Sequence, residues 1–333
     1  MMPAFRAVGL LSGGLDSALA ARLLLDQGIE VIGLHLEAPT ACRSDVREVA
    51  RDLGIRLEVR AKGEEYLRLL RNPRWGYGKN MNPCIDCRRF MFLLGRSYLD
   101  ELDAHFLFTG EVVGQRPMSQ VRSTILMIDR ASGLEGWILR PLSARLLPET
   151  EPERRGWVDR SRLLAIHGRG RQEQLALAAS LSLRHYQSPG GGCLLTDARF
   201  SARLRDLFEH TPEESTRMSD VALLRLGRHF RVGPGRKIVL GRNREENVRL
   251  ADFEDAERWL VEPDDFRGPS ALVCGPREEH LLAQALALIA RYAPDAARGG
   301  RVRWREAGEL RTAVLEGEAL HAPSDPAGSN SPD

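Results

Sequence analysis

The amino-acid sequence predicts an α/β protein: a parallel, doubly wound sheet followed by a second, smaller domain of α/β or α+β type. Strand and helix patterns alternate over the first 143 residues. A glycine-rich turn joins the first strand to the first helix, and proline- and arginine-rich sequence then interrupts the alternation.

The first strand, residues 7–11, is apolar and runs into Ser12-Gly13-Gly14-Leu15-Asp16-Ser17. A helix over 16–27 follows, with Leu15, Leu19 and Leu23 on one face. The next strand is 31–36. The helix over 44–53 carries its own punctuation: Ser44 as N-cap, Val46, Val49, Ala50 and Leu53 as the apolar stripe, Gly54 as the stop. Strands at 56–59, 105–109 and 137–139 and helices at 64–71 and 88–103 complete the unit. Such a sheet is covered on both faces and takes ligands at the carboxyl ends of its strands. The domain is expected over 1–147. Pro148 and Pro152 mark a linker region, 148–200, with a helical stretch at 161–181 and a glycine-rich loop bearing Cys193. A second domain over 201–300 is expected around the central strand "RKIVLG". The small, polar, proline-rich tail, 320–333, is expected to be disordered.

At 333 residues, 43% hydrophobic and 28% charged, the chain has material for two folded cores. No run reaches the roughly 18 apolar residues of a membrane span. The amino terminus goes straight into a strand, unlike a signal peptide, so a cytoplasmic protein without membrane contact is expected. Five cysteines there point to metal or redox chemistry before disulfides. Charge is segregated: residues 225–249 hold eight basic and two acidic side chains, whereas 250–279 hold three and nine.

The opening turn suits phosphate, because glycines let the backbone approach an anion and a helix N-terminus offers free N–H donors. A kinase- or GTPase-type loop would need Gly-x4-Gly-Lys-Ser/Thr, and this turn has no lysine. A dinucleotide loop would need Gly-x-Gly-x-x-Gly, and here the glycines are adjacent. Ser-Gly-Gly-x-Asp-Ser instead resembles the signature of the PP-loop ATP pyrophosphatases, which split ATP between the α and β phosphates. Ser12, Ser17 and the backbone N–H groups of 13–17 suit pyrophosphate, and Asp16 suits Mg²⁺.

"TGEVVGQRPMSQ" at 109–120 and "ILRPLSA" at 138–144 resemble the tRNA 4-thiouridine synthases and the related tRNA 2-thiouridylases. The resemblance implies an ATP site of Leu11, Ser12, Gly13, Gly14, Asp16, Ser17, Arg88, Gly110 and Gln120. The loop begins at residue 12, so the amino-terminal RNA-binding domain typical of 4-thiouridine synthases is not expected. Residues 225–250 instead resemble an NFACT-like RNA-binding module of ribosome-quality-control and fibronectin-binding-like proteins. Arg228, Arg231, Arg236, Lys237 and Arg242 are the expected RNA contacts there, with His229 and Phe230 available to stack on bases.

"NPCIDCRRF" brings Cys84 and Cys87 to a helix start, and "GGGCLLTD" holds Cys193; Cys42 and Cys274 stand apart. A four-cysteine zinc site lacks its second pair. Two readings stay open. In the favoured one, Cys84, Cys87 and Cys193 hold a [4Fe–4S] cluster whose open iron binds sulfide. In the other, Cys84 and Cys193 are the catalytic pair, one carrying a persulfide and the other resolving it, with Cys87 a spectator.

The expected function is a tRNA sulfurtransferase: ATP adenylates a base carbonyl and sulfur replaces the AMP. The sulfur donor would be a cysteine desulfurase or free sulfide. The alternatives are a PP-loop ligase acting on a small molecule and a non-catalytic RNA-binding factor.

Overall fold

The computed structural model describes residues 5–41, 45–187, 193–296 and 299–315. Ser44, Cys42 and the 320–333 tail lie outside the described residues. The chain divides into two units, Met1–Thr196 and Asp197–Asp333.

The first unit is a parallel sheet of β1 (Arg6–Leu10), β2 (Glu30–Glu37), β3 (Arg56–Ala61), β4 (Phe106–Thr109) and β5 (Ile138–Leu139), in the order β3-β2-β1-β4-β5. Its helices are α1 (Leu15–Leu25), α2 (Val46–Leu53), α3 (Glu65–Arg71), α4 (Cys84–Glu101), α5 (Arg122–Ala131), α6 (Glu151–Arg154) and α7 (Gln172–Ser180). Strand order reverses between β1 and β4, and that switch point is where such sheets open a ligand crevice. The two strands meet closely because Gly9 has no side chain: a Cβ there would lie 2.2 Å from the Phe108 ring. Helix α2 has the expected stripe and the left-handed Gly54, but its cap is Asp45, whose carboxylate accepts from Glu48 N–H at 3.2 Å.

Three sequence expectations change here. Residues 148–196 are part of the first unit, since Val158, Leu163, Ile166 and Ala178 are buried in the same core as Leu15, Leu19 and Phe108. The helical stretch at 161–181 reduces to a single turn at Arg160–Arg162 and to α7, because Gly168 and Gly170 break it. Helix α5, between the two motif segments, is an addition; its signal is Ile125 and Ile128, one turn apart and both buried.

The second unit is antiparallel, β11-β10-β8-β9-β7-β6, built from β6 (Arg228–Gly233), β7 (Arg236–Leu240), β8 (Arg258–Pro263), β9 (Ala271–Cys274), β10 (Arg301–Glu306) and β11 (Glu309–Val314). Helices α8 (Ala198–His210), α9 (Met218–Leu223), α10 (Arg244–Ala251) and α11 (Glu279–Tyr292) accompany it. Leu281, Ala285, Leu288 and Ile289 of α11 pack with Phe230, Ile238, Leu240, Trp259 and Val261. Leu250 packs with Val239, Leu260 and Leu272, side chains of alternate parity from the other sheet face. This is the α+β alternative. The strand "RKIVLG" is β7, second from the edge rather than central.

Candidate active site

The phosphate loop leaves β1 at the switch point. Gly13 is left-handed at φ 79°, a conformation that glycine adopts without strain. Gly14 then caps α1 in extended geometry. The Ser17 hydroxyl donates to the Gly14 carbonyl at 2.8 Å and accepts from Ser12 N–H at 3.4 Å, so it ties the turn closed. Ser12 is exposed, with its Oγ 3.3 Å from Ser17 Oγ and accepting from Gly14 N–H at 3.3 Å. Leu11 contributes no free polar group, since its N–H donates to Leu34 and its carbonyl accepts from His35 Nδ1 at 2.8 Å.

Asp16 sits in the first turn of α1. Its Oδ2 accepts from Gln115 Nε2 at 2.9 Å and lies 3.8 Å from the Arg171 guanidinium. Its Oδ1 is buried with no hydrogen-bond partner, an arrangement that suits a cation brought in with a nucleotide. Gly110, directly after β4, approaches the same turn: a Cβ there would stand 2.4 Å from Asp16 C and Ser17 N. Only glycine leaves the loop in place. The backbone of a distant segment closes the other side, with Gln187 N–H donating to the Gly13 carbonyl at 2.9 Å.

Arg88, on α4, is held by its Nε 3.1 Å from Glu111 Oε1. The other Glu111 oxygen takes Arg140 Nε at 2.9 Å, and Arg140 forks onto Asp129 at 2.7 and 2.8 Å. Burial alone would raise the Glu111 pKa, but Arg88 and Arg140 outweigh it and hold it below the ordinary carboxylate range. Gln120 is buried, its Oε1 unpartnered and its carbonyl accepting from Gly114 N–H.

The cysteines lie at the same carboxyl edge of the sheet. Cys84 begins α4 and accepts from Asn82 Nδ2 at 3.5 Å. Cys87, one turn on, has Lys62 Nζ at 3.4 Å and the Tyr66 hydroxyl at 3.5 Å. Lys62 itself is buried, directly after β3, and lies 4.4 Å from the Tyr66 ring centre. Burial pushes the Cys87 thiol up, but the Lys62 charge and the Tyr66 hydrogen bond prevail, leaving its pKa below the usual thiol value. Cys193 donates to the Thr40 carbonyl at 3.4 Å. Burial pushes its thiol up to about 11, reinforced by the charges of Cys87 and Cys84. All three sulfurs therefore share one electrostatic neighbourhood. Among the described residues no three His, Cys, Asp or Glu side chains converge closely enough to hold a metal ion. Of Cys87 and Cys193, Cys87 has the better-stabilised thiolate. Cys274 lies on β9 in the second unit, and Cys42 falls outside the described residues.

The expected RNA contacts are mostly spent inside the second unit. Arg231 pairs with Asp206 at 2.6 Å, and buried Lys237 donates to the same carboxylate at 3.3 Å. Arg236 pairs with Glu278 at 2.8 Å, Arg242 donates from Nε to Glu246 at 3.0 Å, and Arg228 lies 4.7 Å from the Tyr292 ring centre. His229 and Phe230 are 2% and 0% exposed, which removes them from base stacking. Strand periodicity is the reason: β6 is an edge strand, but Phe230 points into the core beneath α11 and His229 to the opposite face, where its Nε2 lies 2.8 Å from the Leu226 carbonyl. Arg236 and Arg242 keep about two-fifths of their side chains accessible, at 37% and 46%.

A reversed parallel sheet with a Ser-Gly-Gly-x-Asp-Ser turn at its switch point defines a nucleotide-binding α/β domain of the PP-loop type. Residues 4–145 match the family described as thiamine biosynthesis protein (ThiI), and residues 227–318 match the NFACT protein RNA binding domain. The first match lies within the first unit and the second within the second. It is similar to the tRNA-specific 2-thiouridylase MnmA of Syntrophotalea carbinolica, 38% identical over 115 residues, which cover 30% of this chain and 32% of that protein. It is also similar to the MnmA of Amoebophilus asiaticus, 30% identical over 177 residues, covering 44% and 46%. The chain spans less than half the length of these relatives. A solved 4-thiouridine synthetase–RNA complex with bound ATP aligns at 20% identity with a TM-score of 0.36, covering 66% of this chain and 52% of that one. No helix among the described residues is long and apolar enough to cross a membrane.

Proposed function

We propose that the protein is an ATP-dependent tRNA sulfurtransferase. The observation that carries this reading is the placement of a phosphate loop and three cysteines along one edge of one parallel sheet. The ThiI match and the thiouridylase relatives support it, and the NFACT-type domain supports an RNA substrate.

In this reading the N–H groups at the start of α1 and the Ser12 hydroxyl receive the ATP phosphates, while Asp16 Oδ1 receives Mg²⁺. Arg88, oriented by Glu111, faces the nucleotide as a fixed cation. A base carbonyl oxygen attacks the α phosphorus, pyrophosphate leaves with the bonding electron pair, and sulfur then displaces AMP. Thiolate donors suit an iron–sulfur cluster, in which each thiolate takes its own iron and the three need not meet on one ion; Cys84, Cys87 and Cys193 would hold it, with Lys62 offsetting their negative charge. Bound there, a [4Fe–4S] cluster would offer an open iron for sulfide. The environment of Cys87 favours a second reading, in which it carries a persulfide and Cys84 or Cys193 resolves it.

The test incubates the full chain with tRNA, ATP, Mg²⁺ and sulfide or a cysteine desulfurase. Release of AMP and pyrophosphate with a thionucleoside in the tRNA digest is expected. ADP as the main product refutes the reading, and AMP release without tRNA favours a small-molecule ligase. About four irons per chain after anaerobic purification, lost on replacing any of the three cysteines, supports the cluster; full activity without iron supports the persulfide.

A further inference from the structure

We propose that Arg171, which lies outside the matched segment 4–145, grips the β and γ phosphates of ATP. The inference rests on the ATP-dependent reading above and adds a residue to it.

Arg171 stands at the start of α7, brought to the phosphate loop by main-chain bonds. Gly168 N–H donates to the Val113 carbonyl at 2.8 Å, and His167 bridges Val113 as a short parallel pair. Farther on, Gln187 bridges Gly14. These ties hold the arginine beside Asp16 from a segment more than 150 residues away in sequence.

Its guanidinium is under-used. The ion pair to Asp16 Oδ2 is 3.8 Å long, beyond a direct hydrogen bond, and that oxygen already accepts from Gln115 at 2.9 Å. Arg171 makes no other ion pair or side-chain hydrogen bond among the described residues, and 30% of its side chain is accessible. Arg88, in contrast, has its Nε committed to Glu111. A triphosphate arriving at α1 therefore meets in Arg171 a second cation, one with no donor in a direct hydrogen bond. Two parallel N–H groups of a guanidinium match two phosphate oxygens, which an ammonium cannot do. When the α-phosphorus–oxygen bond breaks, the electron pair leaves on pyrophosphate, and Arg171 would offset that charge.

Equilibrium binding of ATP, AMP and inorganic pyrophosphate, each with Mg²⁺, to the full chain and to Arg171→Ala and Arg171→Lys tests this. The alanine variant is expected to weaken ATP and pyrophosphate binding about 10- to 100-fold and to leave AMP binding unchanged. The lysine variant should recover part of the loss. Unchanged ATP and pyrophosphate affinity in Arg171→Ala overturns the proposal, as does equal loss of all three ligands, which would mark a collapsed loop. A wild-type chain that binds ATP but yields ADP refutes the sulfurtransferase reading instead, while the three-ligand comparison still judges Arg171.

Discussion

Replacing Lys62 with methionine isolates the electrostatics of the cysteine site. Its ammonium is 3.4 Å from Cys87 Sγ, and the Tyr66 hydroxyl at 3.5 Å is the other donor to that sulfur. A hydrogen bond to a charged partner contributes about 1.5–3 kcal/mol. At about 1.4 kcal/mol per factor of ten, its loss lowers the thiolate population about 10- to 150-fold. A more basic thiolate is also a better nucleophile, with a Brønsted slope near 0.5 that returns half of this on a logarithmic scale. Alkylation of Cys87 should therefore slow about 3- to 12-fold in Lys62→Met. The assay is iodoacetamide labelling of iron-free, reduced full-length protein across pH 6–11 (about that range brackets ordinary thiols), with each cysteine quantified by peptide mass spectrometry. In the parent chain Cys87 should label at lower pH than Cys193, whose burial defers its thiolate to about pH 11. Lys62→Met should delay Cys87 and leave Cys274, in the other unit, unchanged. Equal labelling of Cys87 in both proteins would refute the claim that Lys62 stabilises its thiolate.

Gly110→Ala places a methyl group 2.4 Å from the α1 backbone, so a loss of about 1–3 kcal/mol in urea unfolding and failure to retain ATP are expected. Arg140→Met leaves the buried Asp129 carboxylate unpaired and Glu111 with Arg88 alone, and should cost about 3–5 kcal/mol, read as a lower urea midpoint. Replacing the accessible Arg236 and Arg242 with alanine should weaken tRNA binding and flatten its salt slope by about two units, measured by filter binding from low to high salt. Lys237→Ala should instead lower the stability of the second unit, because its buried ammonium neutralises Asp206 together with Arg231.

The strand–turn–helix of the phosphate loop was legible because its pattern is local: an apolar strand, two glycines and a leucine- and alanine-rich helix lie within 20 residues. Gly110 was legible only through the family resemblance; its physical reason, a close approach to Asp16, spans the sheet. Gln115, Lys62, Tyr66 and Arg171 were missed for the same reason. Gln115 lies 99 residues from the carboxylate it contacts, and no spacing rule links such a pair. The arginine-rich strip misled in the opposite direction. Its composition suggests an open basic face, but Asp206, Glu246 and Glu278, from elements on either side, take up four of its eight basic charges.

Cys193 is placed by main chain rather than by its sulfur. Leu194 N–H donates to the Thr40 carbonyl at 3.0 Å, and Met81 N–H donates to the Leu195 carbonyl at 3.2 Å. The segment is thereby tied both to the turn after β2 and to the approach to Cys84 and Cys87. Replacing any one thiol should therefore leave the backbone that carries the other two where it is.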